Sequence, residues 1–471
     1  MNPTDLEERS QRMTNQGYYL PGLYVREGSI PVPLDWAGSE PGVWRPEDHS
    51  NQAVIRCFYR VVCAPEHIHD DLPLLVYLQG GPGSGAPRPL NATADGWMAE
   101  ALRHFRIVLP DQRGTGRSSA IDGSTMASLG QPRAQADYLK HFLADSIIRD
   151  FEHLRRTVFA GRPWVTLGQS FGGFLTMAYL SNFPQGLAAA FTTGGVPHIP
   201  ADAYELYSHT FTKMAQRSQI FYQRYPGDQD RVAAIADRLA QGDVVLPGGD
   251  PLSVERLQTL GADLGKSGGF ERLHWLLDTA FLDGDGSLPA SGASSSRATL
   301  SQAFLEGVRS ATAVTPLYWP LQEFIYADGD CGPLRWAGQR VRDARPEFDT
   351  AARPLMFTGE AIFPWMFEQE AALRPFGPAV SLLMEEGSWG HLYDPDRLAD
   401  NQVPLQAAVY ADDLYVPSEL QLDTLSRVGH AHAWVTNEFE HDGLHGDRVF
   451  AHLYRLALER GDLEGLFPAR G

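Results

Sequence analysis

The chain has 471 residues, 43% of them hydrophobic, and a formal net charge of −19, which argues against nucleic acid and anionic membrane as partners because both select clustered Lys and Arg. Its three cysteines (Cys57, Cys63 and Cys331) form no CxxC pair, so a disulfide framework is not expected and a reducing compartment is. No apolar run reaches the roughly 18 residues of a membrane span. The polar, acidic N-terminus also lacks the basic-then-apolar pattern of a secretory signal, so a cytoplasmic location is expected.

Residues 1–16 are polar and expected to fray. Tyr18–Trp36 reads as extended and Pro-punctuated, and Ala53–Val62, rich in β-branched and aromatic residues, as a strand. Leu72–Leu78, with Gly-Pro-Gly behind it, and Phe105–Leu109 are short unbroken apolar runs, the pattern of strands buried on both faces. Ser146–Phe159 places Ile147, Ile148, Phe151, Leu154 and Val158 on one helical face. Trp164–Leu167 reads as a strand, Phe171–Phe183 as a helix and Ala188–Thr193 as a strand. Such alternation implies a parallel sheet. Residues 198–349 are helical in pattern and include Gly284–Ser296, a low-complexity stretch read as a mobile loop. Strand texture returns at Pro354–Thr358, Val403–Tyr410 and Ala433–Thr436. The simplest organisation is an α/β core made of residues 1–197 and 350–471, interrupted by a helical cap at 198–349.

Gly168-Gln169-Ser170-Phe171-Gly172 fits G-x-S-x-G and lies between a predicted strand and a predicted helix. That is the setting of a nucleophile elbow, where a sharp turn exposes the serine and glycines admit neighbouring backbone. Gly80-Gly81-Pro82-Gly83 follows another buried strand, where an acyl-transfer enzyme of this architecture needs N–H donors for a tetrahedral oxyanion. The donors expected are Phe171 and Gly81, with Gly80 as the alternative. The loop lacks the G-K-[ST] of a phosphate cradle. In the α/β-hydrolase fold the acid and then the histidine follow the serine in the chain. Asp413, after Val403–Tyr410, is the expected acid and Asp412 its competitor. His441, in the loop after Ala433–Thr436, is the expected base and His445 its competitor; His391 precedes the acid and is out of order. Histidines 430, 432, 441 and 445 crowd together but lack an HExxH helix or a Cys partner, so neither a metal nor a cofactor is expected.

Together the Gly80–Gly83 loop, Asp111-Gln112-Arg113-Gly114-Thr115-Gly116-Arg117-Ser118 and the Gly168–Gly173 elbow resemble the proline iminopeptidases, in their longer subtype with an enlarged helical cap. The resemblance runs from about Tyr18 to the end of the chain. Gln79 departs from it, since many members carry His there. It implies an α/β-hydrolase fold with a mostly parallel central sheet and an inserted helical cap. The implied substrate is a small peptide or amide with an N-terminal proline. It also implies that Glu323 and Glu360 receive the free secondary ammonium. Phe363, Trp365, Phe367 and Phe171 either wall a pyrrolidine pocket or are ordinary core aromatics. Arg113, Asp111 and Arg117 read as structural. Alternatives are an esterase, amidase or tripeptidyl-type peptidase on the same fold, or a non-catalytic hydrolase homologue. Oligomeric state is not legible.

Overall fold

The computed structural model describes residues 17–281, 298–312 and 315–467. The expectations for residues 1–16 and for Gly284–Ser296 fall outside these. The strands are β1 (Tyr18–Leu20), β2 (Leu23–Pro33), β3 (Val54–Cys63), β4 (Leu74–Leu78), β5 (Arg106–Pro110), β6 (Trp164–Gln169), β7 (Leu187–Thr193), β8 (Leu405–Tyr410) and β9 (Ala431–Thr436). They form one sheet in the order β1-β2-β3-β5-β4-β6-β7-β8-β9. The β1–β2, β2–β3 and β3–β5 pairs are antiparallel and the remaining pairs parallel. The extended Tyr18–Trp36 stretch thus supplies two strands, β2 lying along the full length of β3.

The helices that bear on the argument are α1 (Ala144–Val158), α2 (Phe171–Asn182), α3 (Ala203–Arg224), α4 (Pro226–Leu239), α5 (Gly269–Asp278), α6 (Gln302–Thr312), α7 (Ala337–Asp343) and α8 (Val449–Glu459). The strand pleat sorts the core into two layers. Leu74, Val76 and Leu78 of β4 face one cluster, with α1, α2 and the cap; Leu75 and Tyr77 face the other, with Trp97, Phe450 and Leu453. Central strands buried on both faces must be apolar throughout, which is why β4 (LLVYL) shows no polar alternation. For the same reason α2, wedged between sheet and cap, is apolar around almost its whole circumference. Among the described residues no helix is long and apolar enough to cross a membrane.

One expected strand is absent. Pro354–Thr358 runs as irregular chain against the cap: the Thr358 N–H donates to the Gln258 carbonyl (2.9 Å), and Gln258 Nε2 donates to the Met356 carbonyl (2.9 Å). The edge of β7 that such a strand would need is taken by β8. Chain 198–404 is therefore one continuous excursion from the sheet, longer than the 198–349 expected. A short apolar run looks alike whether its backbone partners are a strand or a buried side-chain amide. The cap also has no separate core among the described residues, because its apolar residues join the cluster on the α2 side of the sheet.

The Asp111–Ser118 loop is fixed from below by Arg113, fully buried with Asp150 of α1. Arg113 Nε and Nη2 donate to Asp150 (2.8 and 2.6 Å), and its remaining N–H groups reach the carbonyls of Leu34, His141 and Pro33. Trp36 Nε1 donates to the same carboxylate (2.8 Å). Every guanidinium donor is thus satisfied, the condition under which a buried ion pair is tolerated. Asp150→Ala strands the buried cation, and urea denaturation is expected to show a loss of about 3–5 kcal/mol.

Candidate active site

Ser170 caps the strand–turn–helix junction between β6 and α2 with φ 54° and ψ −124°. That conformation costs a non-glycine residue on the order of 1–3 kcal/mol and survives only where the surroundings enforce it. They do so here by close backbone approach. A Cβ on Gly172 would lie 1.9 Å from the Leu78 carbonyl oxygen, and one on Gly195 would lie 2.2 Å from the Ser170 carbonyl oxygen. The Ser170 N–H donates to the Thr193 carbonyl (3.1 Å) and its carbonyl accepts from Gly173 (2.8 Å).

The loop after β4 lies on this elbow. A Cβ on Gly80 would meet the Ser170 Cβ at 3.3 Å, and Gly81 adopts φ 121°, a region that excludes side chains. Gln112 Nε2 ties the loop down through the Gln79 carbonyl (2.8 Å). Phe171 is the first residue of α2, so its N–H has no partner within the helix.

His441 and Asp413 are buried together. His441 Nδ1 lies 2.9 Å from Asp413 Oδ2, and Asp413 Oδ1 also accepts the N–H groups of Tyr415 (2.8 Å) and Val416 (3.0 Å). Burial works against the charged imidazole, but the Asp413 carboxylate and then Glu360 outweigh it and hold the His441 pKa above its usual value. Of the competing residues, Asp412 is exposed, His445 pairs instead with Asp95 (3.1 Å), and His391 is exposed. The structure therefore brings together Asp413 and His441, not Asp412 and His445.

Of the two expected glutamates, Glu323 is enclosed and Glu360 is half-buried. Glu323 is fully buried and accepts the N–H groups of Ala337 (2.6 Å) and Gly338 (3.3 Å), at the start of α7. Burial nevertheless raises its pKa to about 7. Glu360 has no hydrogen-bond donor among the described residues, and burial raises it to about 7 as well, opposed by His441 and Lys266. The Tyr207 hydroxyl is buried without a hydrogen-bond partner and is pushed up by burial and by both carboxylates, which places it in their common field. Phe363 and Trp365 stack at 6.0 Å, and Phe171 packs on Phe174.

Sequence reasoning missed the residues that hold His441 from the cap side. The His441 N–H donates to the Gly265 carbonyl (3.1 Å), Tyr415 stacks on the imidazole at 4.4 Å, and the Tyr415 hydroxyl donates to the Ala262 carbonyl. Lys266, next to Gly265, acts on both His441 and Glu360. Tyr415 was within reach, since it lies in the turn that Asp413 caps; nothing in the sequence marks Gly265 or Lys266. A cleft of about 770 Å³ at the end of α4, lined by Asp237, Leu252 and Arg353 among others, shares none of these residues.

Residues 73–245 match the α/β hydrolase fold family. A proline iminopeptidase of Aeromonas sobria is 42% identical over 444 residues, covering 93% of this chain and 98% of that one. One from Aspergillus aculeatus is 34% identical over 436 residues, covering 89% and 94%. The crystal structure of a Mycobacterium smegmatis proline iminopeptidase superposes with a TM-score of 0.40 at 15% identity, covering 87% of this chain and 97% of that one. Near-complete mutual coverage at this identity means that the chain belongs to the proline iminopeptidase family, serine hydrolases of the α/β-hydrolase fold.

Proposed function

We propose that this chain releases N-terminal proline from small peptides, with Ser170 as nucleophile, His441 as base, Asp413 as its orienting acid, Phe171 and Gly81 as oxyanion donors, and Glu323 and Glu360 as receptors of the substrate ammonium. The observation that carries the reading is the pair of carboxylates, Glu323 fully buried and Glu360 half-buried in the field of the buried His441–Asp413 couple. An N-terminal proline presents a secondary ammonium with two N–H bonds. A cleft that binds it must offer acceptors, and carboxylates with vacant lone pairs make the strongest ones. Glu323 uses one lone pair of each oxygen on backbone donors, and Glu360 uses none among the described residues.

The chemistry runs as acyl transfer. Ser170 Oγ attacks the prolyl carbonyl while His441 takes its proton; the oxyanion develops against the two N–H groups. His441 then gives the proton to the departing peptide amine, leaving a prolyl ester on Ser170. Water, deprotonated by the same imidazole, releases proline. Asp413 fixes the imidazole tautomer and balances the imidazolium. No cofactor enters these steps. The three cysteines are free thiols, which supports a reducing, cytoplasmic setting.

The decisive comparison is proline β-naphthylamide against its N-acetylated form and p-nitrophenyl acetate. Turnover is expected for the free amine alone, with kcat lost by about 10⁴-fold or more in Ser170→Ala. Preference for the blocked amide or the ester replaces this reading with an amidase or esterase.

Protonation gives a second test. Glu323 and Glu360 become neutral as pH drops through about 7, and His441, held above its usual value, takes up a proton more readily than a free imidazole, so kcat/KM for the prolyl substrate is expected to fall with falling pH. Glu360→Gln removes one ammonium partner and one anion that raises His441. The expected result is a KM about 10- to 100-fold higher, with the acid limb of kcat moved to lower pH. A variant with an unmoved limb and unchanged KM assigns Glu360 no role in the site.

A further inference from the structure

A cluster outside the active site is built in the manner of a metal centre. His432 lies in the edge strand β9 and His430 in the turn just before it, where φ 49° brings the two imidazoles side by side with ring centroids 5.8 Å apart. Asp462 approaches them from the turn after α8. One ligand atom from each lies within 4.8 Å of the other two. None of the three takes part in the reaction described above.

The hydrogen bonds around His430 carry the argument. Its Nδ1 lies 3.0 Å from the Gln402 carbonyl and its Nε2 lies 3.1 Å from Asp462 Oδ1. Both ring nitrogens thus face acceptors. The Nδ1–H that donates to the carbonyl leaves Nε2 as a bare lone pair opposite a carboxylate oxygen. Such a contact is bridged by a proton or by a metal ion, and the second imidazole, His432, within reach of both atoms is what makes it a candidate metal site. Asp462 is not a loose surface carboxylate either: its side chain is only 6% exposed, and its other oxygen accepts from Gln406 Nε2 (2.8 Å), the register partner of His432 across β8–β9. A carbonyl that fixes a histidine tautomer and an amide that fixes a carboxylate are the outer-sphere contacts of a metal site. The neighbouring Arg460, a charge that opposes a cation, is turned onto Gln406 Oε1 (2.7 Å).

We infer that His430, His432 and Asp462 form a binding site for a borderline divalent cation of the Zn²⁺ class, clamping the turn after α8 to the exposed edge of the sheet. Two imidazoles and one carboxylate suit such an ion, and the exposure of His430 leaves room for water as a further ligand. Bond lengths of about 2.0–2.2 Å require the ligand atoms to close to roughly 3.5 Å of one another. Binding therefore draws the three side chains inward from their present separation. The sequence reading grouped these histidines with 441 and 445; the fold separates them, since His441 is committed to Asp413 and His445 to Asp95.

The test uses the full chain stripped with a chelator, titrated with Zn²⁺ by calorimetry and with Co²⁺ by visible absorption. Wild type is expected to bind one equivalent of Zn²⁺, to show Co²⁺ ligand-field bands and to gain thermal stability with the ion. His430→Asn/His432→Asn is expected to lose about ten-fold or more in affinity together with the bands and the thermal gain, while keeping wild-type peptidase turnover. Asp462→Asn, which keeps the side chain's shape, is expected to weaken binding in the same way. An unchanged equivalent in the double variant overturns the assignment. So does the absence of binding to wild type at about 1 mM Zn²⁺, which would leave His430 as an imidazolium paired with Asp462.

Discussion

The site depends on the backbone of Ser170 being held where an L-residue does not rest by itself. The constraint is steric and comes from two contacts: Gly172 in the first turn of α2 against the Leu78 carbonyl at the end of β4, and Gly195 after β7 against the Ser170 carbonyl. Each approach is closer than a side chain would allow, so the glycines are required by contact and not only by the turn. The strain is local, while its compensation is spread over the sheet and α2, both buried.

Electrostatics adds a second layer. Asp413 has two backbone donors besides the imidazole, so its charge is stabilised before any chemistry begins. Glu360 has no comparable partner among the described residues and sits in the field of His441. An unpaired, half-buried carboxylate is unfavourable in the folded protein unless a cation reaches it, so on the proposed reading it serves recognition and not stability.

Much of this was legible in the sequence, and the reasons are uneven. Ser170 and Asp413 could be named because each follows a strand buried along its whole length, and buried strands announce themselves as unbroken apolar runs, whereas His441 follows the half-exposed edge strand β9 and was placed by chain order. The same signal failed at Pro354–Thr358, where burial came from the cap and the backbone partners were Gln258 and Ser218. The two strands within Tyr18–Trp36 were hidden because β1 is short and half exposed and β2 is interrupted by prolines. Glu323 and Glu360 emerged only through family resemblance, since a lone glutamate carries no local pattern. Gly265 and Lys266 could not be read at all: their importance lies in what the fold sets opposite them.

The Gly265 carbonyl that receives the His441 N–H belongs to the excursion, not to the sheet. The same stretch covers the other end of the site, where Thr315 donates to the Gly83 carbonyl and the Leu317 backbone leaves no room for a Cβ on Gly83. The cap is therefore not an accessory grafted onto a self-sufficient hydrolase. A chain trimmed to its nine strands and their flanking helices would keep Ser170, Asp413 and His441 in its sequence, yet lose the carbonyl that anchors the imidazole loop and both carboxylates. The sheet and the excursion thus share one piece of packing, so a change in the stretch that carries Glu323 and Glu360 is also a change in what holds the His441 loop.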